Sequence, residues 1–483
     1  MTAGGYSRFD RKKVPQLLMA ALVIFAVNLR ADSGASRHSV SVSPNVPSIV
    51  FVEAPNVASV TGADRFPDGS RIALLVLGAK GKSPATLTNE FFAAADPQID
   101  FSGKHILFTG QKVRGDRWQI WEMNVDGSGA RQITKCETDC LRPAYLPGDE
   151  IAFTSIPSGA DSSPASLEVI GLDGSNVHAI TFGPGGWWLE TVLRDGRIVA
   201  SANAPLIDVA PGNTNRLLYT LRPDGTGLES LRCEHNGRAV RGEASELEDG
   251  SIIYTETGGA LMLVRRGAVH EERIGTPGTS YHSPNALEHN AIVVARKAIP
   301  DQRYELSIIM PSSTGQGRTI YSSPKLDSLE PVAVIPRPTP IKFWSNLVPG
   351  SPTGYFISLD SSNSMDKSQN ASAIRRVRVI EQKPSGEAVL GEAMVEADGS
   401  FYVQVPANQA VRFVLLDDQG KLIREERGWI WTRPGEQRGC TGCHGDKAVA
   451  PNNRWPMVLR KQEPPTRLTG APNEMQTVES HDH

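Results

Sequence analysis

The string Arg438-Gly-Cys440-Thr-Gly-Cys443-His444-Gly sets two thiols three residues apart with an imidazole directly after the second. Thiols at that separation can each add to one vinyl group of a haem, and the adjacent histidine is then held under the iron as its proximal ligand. With 5 cysteines and 10 histidines in 483 residues, chance produces this string in about one chain per thousand of the same composition. The spacing therefore predicts one covalently attached haem c on Cys440 and Cys443, with His444 as the iron ligand. Two other chemistries use a C-x-x-C pair. A redox-active or structural disulfide is one, although no thioredoxin-like βαβ pattern surrounds the pair. Half of a zinc site is the other, although no second C-x-x-C or H-x-x-x-H pair stands at a suitable spacing.

Only 39 residues follow His444, among them Pro451, Pro456, Pro464 and Pro465. That is too little chain for a cytochrome with its own helical core, so the haem is expected to be covered by the rest of this chain or by a partner subunit. For a distal ligand, His282 in Tyr281-His-Ser-Pro284 is the first histidine to consider, with a hydrogen-bonded turn histidine as the plainer reading. Met457 and Lys447 lie close to the haem cysteines in sequence, and His481 and His483 lie in a polar tail. Cys136 and Cys140 are expected to close a short loop as a disulfide. Cys233 is then a buried free thiol.

These groups must be positioned by the elements before them. A turn followed by a short aliphatic strand recurs, and the first aliphatic falls at Ile72, Ile106, Ile151, Ile198, Ile252 and Ile292, a mean spacing of 44 residues. Strands repeating at such a period predict a β-propeller, here over 49–334 with six blades. A sandwich would show turns every 8–12 residues and no long period. The Asp126-Gly, Asp173-Gly and Asp224-Gly turns fit the hairpin between the outer two strands of a blade. Ile49-Val-Phe-Val52 either adds a blade or closes the ring. After a Pro-rich exit, alternating segments such as Ile374–Ile380, Ser400–Val405 and Ala410–Leu416 predict a small antiparallel β-sandwich over 341–433. The haem segment follows at 434–462 and a disordered tail at 463–483. The fold class expected is thus all-β.

At the start, Arg8, Arg11, Lys12 and Lys13 precede the apolar run Leu17–Val27, so residues 1–35 read as a signal peptide or, if uncleaved, a membrane anchor. The expected location is periplasmic or otherwise extracytoplasmic, where disulfides persist. A formal charge of -3 without a long basic stretch argues against a nucleic-acid partner.

Phe91-Phe-Ala-Ala-Ala-Asp-Pro97, Trp118-Gln-Ile-Trp-Glu-Met123, Trp429-Ile-Trp-Thr-Arg-Pro-Gly-Glu436 and the haem motif with Asn452-Asn-Arg-Trp-Pro456 after it resemble the hydrazine synthase alpha subunit family. The blade turns are shared with the wider Tol-type periplasmic propellers. The resemblance implies thioethers at Cys440 and Cys443 with His444 as the motif histidine. It also implies a catalytic haem whose iron takes a tyrosine shortly after the motif, but the last tyrosine here is Tyr402. The family's alpha subunit carries more than one haem, whereas this chain has a single C-x-x-C-H. The first functional expectation is an exported monohaem c-type cytochrome-like protein, an electron-transfer or redox subunit with a redox partner protein or complex subunits. The alternatives are a haem enzyme acting on a small nitrogen or oxygen compound, and a propeller scaffold without catalysis.

Overall fold

The computed structural model describes residues 47–57, 66–77, 83–157, 164–204, 215–231, 240–266, 270–311, 317–364, 371–426, 428–442 and 454–468. The expected signal segment, Cys233, Cys443, His444, Lys447 and the tail from 469 lie outside them. Among the described residues, almost all regular secondary structure is strand. Consecutive strands make five four-stranded sheets, which begin at Ala93–Ile99, Asp139–Leu146, Trp187–Val192, Gly242–Glu246 and Ser280–Ala286. A sixth sheet joins Asp327–Ala333 to Ile49–Ala54, Arg71–Leu75 and Ala85–Thr86. The first strands of neighbouring sheets touch in a closed cycle, the arrangement of a propeller. Closure rests on a pairing between distant parts of the chain, Ile49↔Ala333 through Ala54↔Asp327, which leaves neither end of the ring as an open edge.

The recurring aliphatic strand is the second of each sheet, buried on both faces because each sheet packs between two others. One member of the series is out of step. Ile72 lies in the third strand of its sheet, and Ile49 occupies the equivalent second position. The chain enters the ring one strand late, so the motif at Pro67–Leu74 resembles the others in turn chemistry but not in place. Turn chemistry is visible at Asp249-Gly250, where Gly250 has φ +80° and the Asp249 carboxylate accepts the Ser251 N–H at 2.9 Å.

Every first strand also breaks its pairing near its middle. Five of the six interruptions put a residue that is not glycine at positive φ: Asp96, Arg142, Glu243, Ser283 and Glu330, at 50–55°. The sixth falls at Glu190. Pro97, Pro143, Pro284 and Pro331 follow four of these residues. Proline has no N–H to give the ladder, so the strand bulges there and turns the preceding side chain out of register.

Two further four-stranded sheets form the sandwich. One is ordered Gln437–Cys440, Thr353–Ser358, Phe401–Pro406, Thr466–Arg467, and the other Gly386–Met394, Arg376–Lys383, Val411–Leu416, Leu422–Glu425. Val377, Val379, Phe401, Val403, Val405 and Phe413 point inward at every second position. Two boundaries differ from the expected 341–433. Residues 341–352 contain no strand and run along the ring, where Lys342 meets Glu150 at 3.3 Å and the Ser345 hydroxyl donates to Asp224 at 2.8 Å. At the other end the sandwich takes in Gln437–Cys440 and Thr466–Arg467 as parallel edge strands. Those strands are short and polar, so they carry no alternation to read.

The ring and sandwich share a seam. Trp431 is 1% exposed and packs edge-on to Trp187 at 5.2 Å and to Phe182 at 5.9 Å. Its indole N–H donates to the Gly225 carbonyl at 3.0 Å, and Arg433 donates to the Asp224 carbonyl at 2.8 Å. The Asp224-Gly225 turn between the outer strands of one sheet is therefore the shelf on which the sandwich rests.

Candidate functional site

Cys440 ends the parallel strand Gln437–Cys440, opposite Ser358, and its carbonyl accepts the Leu359 N–H at 2.8 Å. The strand is fixed from the ring side by Arg438, whose guanidinium donates to the Leu228 and Trp431 carbonyls. Cys136 and Cys140 form the expected disulfide, which leaves Cys440 as the free thiol among the described cysteines. It is half-buried against the sandwich core. Burial pushes the thiol up, and Arg438 offsets this only in part. Two residues on, Gly442 has no room for a side chain: a Cβ there would lie 2.7 Å from the Asn363 carbonyl oxygen and 3.0 Å from that of Asp360.

Arg454 stands on the same corner as Thr441. Asn363 donates to the Thr441 carbonyl at 3.4 Å, and Arg454 reaches the Asp360 carboxylate at 3.4 Å and the Asp398 carbonyl at 2.9 Å. The Met457 N–H donates to the Asp398 carboxylate at 2.8 Å, and the Val458 N–H to the Ser400 hydroxyl at 3.1 Å. Burial raises Asp398, but the Ser400 hydroxyl, the Met457 N–H and Arg454 outweigh it and hold the carboxyl below the usual range. Thr441 and the Arg454–Val458 segment are thus anchored on one corner of the sandwich. Beside it stands Trp455, 73% exposed. A free thiol at a strand end, a glycine that admits no Cβ and an exposed indole thus share one corner of the sandwich.

A second polar centre lies in the ring. The six bulge residues line a cavity of about 190 Å³, and they are laced to one another. The Asp96 N–H donates to Glu330 at 2.7 Å, the Arg142 N–H to Asp96 at 3.0 Å, the Glu243 N–H to Glu190 at 2.6 Å and the Ser283 N–H to Glu243 at 3.0 Å. Within their own sheets, Asp96, Glu190 and Glu243 also accept a hydroxyl proton from Thr109, Ser201 and Thr255. Each bulge carboxylate thereby ties its own sheet to the next. Arg142 meets Glu190 at 2.9 Å, and although burial lowers it, Glu190, Glu243 and Glu330 raise it further and keep it charged. Burial pushes Glu243 up, but the His282 ring, the Ser283 N–H and Arg142 prevail and hold it at about 2. His282, considered above as a distal ligand, has its Nδ1 3.2 Å from Glu243 and its Nε2 3.3 Å from Ser280. Both ring nitrogens are therefore engaged within the ring wall. A sequence signal for this centre existed: a charged or polar residue before proline, once in most repeats.

Residues 357–445 match the family model described as the hydrazine synthase alpha subunit middle domain. Hydrazine synthase subunit alpha of Kuenenia stuttgartiensis is 24% identical over 85% of this chain and 67% of its own length. The solved hydrazine synthase of Kuenenia stuttgartiensis superposes with a TM-score of 0.76 at 21% identity, covering 86% of this chain and 72% of that one. TolB of Acinetobacter baumannii gives 0.44 at 16% identity over 59% of this chain and 66% of its own.

Proposed function

We infer that this chain, hydrazine synthase alpha-like in sequence and in fold, is a haem c-dependent redox protein of the extracytoplasmic space that works as a subunit of a larger assembly. One observation carries the reading. The free thiol of Cys440 closes the strand that leads into Cys443 and His444, inside the stretch that matches the hydrazine synthase alpha middle domain. Cys440 and Cys443 would hold the thioethers and His444 the iron. Haem supplies reversible one-electron chemistry and a coordination position for a small molecule when one face of the iron is open. The chain's own contribution is placement: Arg438 fixes the strand before the motif, and Asp360 and Asp398 fix Arg454 and Met457 after it.

Between enzyme and electron carrier we favour an enzyme acting on a small nitrogen or oxygen compound. The named relative is a synthase subunit, which supports that choice. Tyr402, the last tyrosine, lies in a sandwich strand against Tyr355 with ring centroids 5.9 Å apart. No tyrosine follows the motif, which is where this sequence departs from the family resemblance. The signal-like start and the Cys136–Cys140 disulfide support an extracytoplasmic location. Carbon monoxide binding to the dithionite-reduced protein tests the choice. Rapid binding with a shifted Soret band is expected of an open iron, whereas a spectrum unchanged by carbon monoxide would return the reading to electron transfer.

A further inference from the structure

Within the first strands, the residue before each bulge is small or aliphatic in five sheets: Ala95, Leu141, Leu189, Gly242 and Leu329. The sixth sheet has His282 there, a buried imidazole that core packing alone does not require. Its Nδ1 faces the Glu243 carboxylate at 3.2 Å, and its Nε2 faces the Ser280 hydroxyl at 3.3 Å. The other partners of Glu243 are all donors: the Ser283 N–H at 3.0 Å, the Ser283 hydroxyl at 3.3 Å and the Thr255 hydroxyl at 2.8 Å. A carboxylate fixed in this way keeps the imidazole proton on Nδ1 and leaves the Nε2 lone pair facing Ser280.

Ser280 itself is half-exposed at the start of its strand. Its hydroxyl also lies 3.3 Å from the Tyr304 hydroxyl, and the Lys297 ammonium sits 4.2 Å from the centre of the Tyr304 ring. Burial raises Tyr304 and the Ser280 hydroxyl lowers it, but with the charges of Glu243 and Asp327 the net direction is upward, so it remains a proton donor. The neighbouring turn passes close because it is glycine: a Cβ on Gly259, at φ +74°, would fall 2.3 Å from the Ser280 Oγ. This constellation lies at the end of the sheets where second strands turn into third strands, as shown by the Tyr281 N–H donating to Gly259 at 2.8 Å. The strap at 341–352 contacts the opposite turns, at Gly148 and Gly196. The sandwich likewise rests on the Asp224-Gly225 turn, which joins a third strand to a fourth at that opposite end, so the constellation is separate from the seam between ring and sandwich.

We propose that Ser280, His282 and Glu243 form a nucleophile–base–acid relay that cleaves small activated acyl esters, with Tyr304 as the donor to the developing oxyanion. The Ser280 Oγ attacks the acyl carbon while its proton passes to the His282 Nε2. The ester C–O bond breaks, and the leaving alkoxide takes that proton as the alcohol. Water then attacks the acyl-serine with His282 again as base, which releases the carboxylic acid and restores Ser280.

The test is a fluorophosphonate probe applied to the full chain, with the adduct located by peptide mass and p-nitrophenyl acetate turnover measured in parallel. The expected result is one adduct at Ser280 that is absent from S280A and from heat-unfolded protein. H282Q should label about a hundredfold more slowly, and Y304F should turn over ester about tenfold more slowly while keeping its fold by circular dichroism. An unlabelled Ser280 in the folded protein, labelling at equal rate in H282Q, or full turnover in S280A would each overturn the proposal.

Discussion

Replacing Trp431 probes how the sandwich is held on the ring. Trp431→Ala removes a fully buried indole from between Trp187 and Phe182 and leaves the Gly225 carbonyl without its donor. Losing the side chain costs about 3–5 kcal/mol as transfer and cavity free energy, and the orphaned carbonyl adds about 1 kcal/mol. The Arg433 and Arg438 bonds to the Asp224 and Leu228 carbonyls survive, so the seam should loosen rather than part. Trp431→Phe separates the contributions, because a ring remains but the N–H does not, and about 1–2 kcal/mol is expected. Urea unfolding of the full chain, followed by fluorescence and by proteolysis near the seam, measures both. A loss below about 1 kcal/mol for Trp431→Ala, or equal losses in the two variants, would refute a packed seam.

Other consequences are equally specific. Glu190→Leu removes the ion-pair partner of Arg142 and the acceptor of the Glu243 N–H and the Ser201 hydroxyl, and should cost about 3–5 kcal/mol, with a smaller loss in the Arg142→Met, Glu190→Leu double variant, both read by urea midpoints. Asp398 has a depressed carboxyl, so its contribution is present above the ordinary aspartate value and is lost as pH falls through the folded value. Asp398→Asn should therefore flatten the acid limb of a stability-against-pH curve, and an unchanged limb would contradict the assignment. The Cys136–Cys140 bridge closes a loop with a sequence separation of 4, so Cys136→Ser with Cys140→Ser should cost about 2 kcal/mol, measured as the difference between oxidised and doubly substituted protein.

The all-β class, the recurring second strand and the sandwich alternation were legible because aliphatic residues follow period two and Asp-Gly turns punctuate them. The misplacement of Ile72 shows the limit of that reading. Its strand has the same local pattern as a second strand, and only the pairing of Ile49 with Ala333, set by distant parts of the chain, gives its true position. The edge strands Gln437–Cys440 and Thr466–Arg467 were hidden because main-chain pairing, not side-chain burial, defines them. Cys440 was singled out by the spacing of the C-x-x-C-H string. The corner of Asp360 and Asp398 was not, since two turns far apart in sequence meet only in the fold. His282 drew notice as a possible ligand; Ser280 precedes it by two residues in the same strand, but Glu243 comes from the neighbouring sheet and a different repeat.

Cys440 and Cys443 together are proposed to hold one haem. Expressed with a haem-maturation system and run on a denaturing gel, the chain should show peroxidase-active haem at its own mass, and a pyridine haemochrome assay should give about one haem per chain. Cys440→Ala with Cys443→Ala should lose the signal completely. A wild-type band without haem, or haem that stays with the doubly substituted chain, would contradict the account.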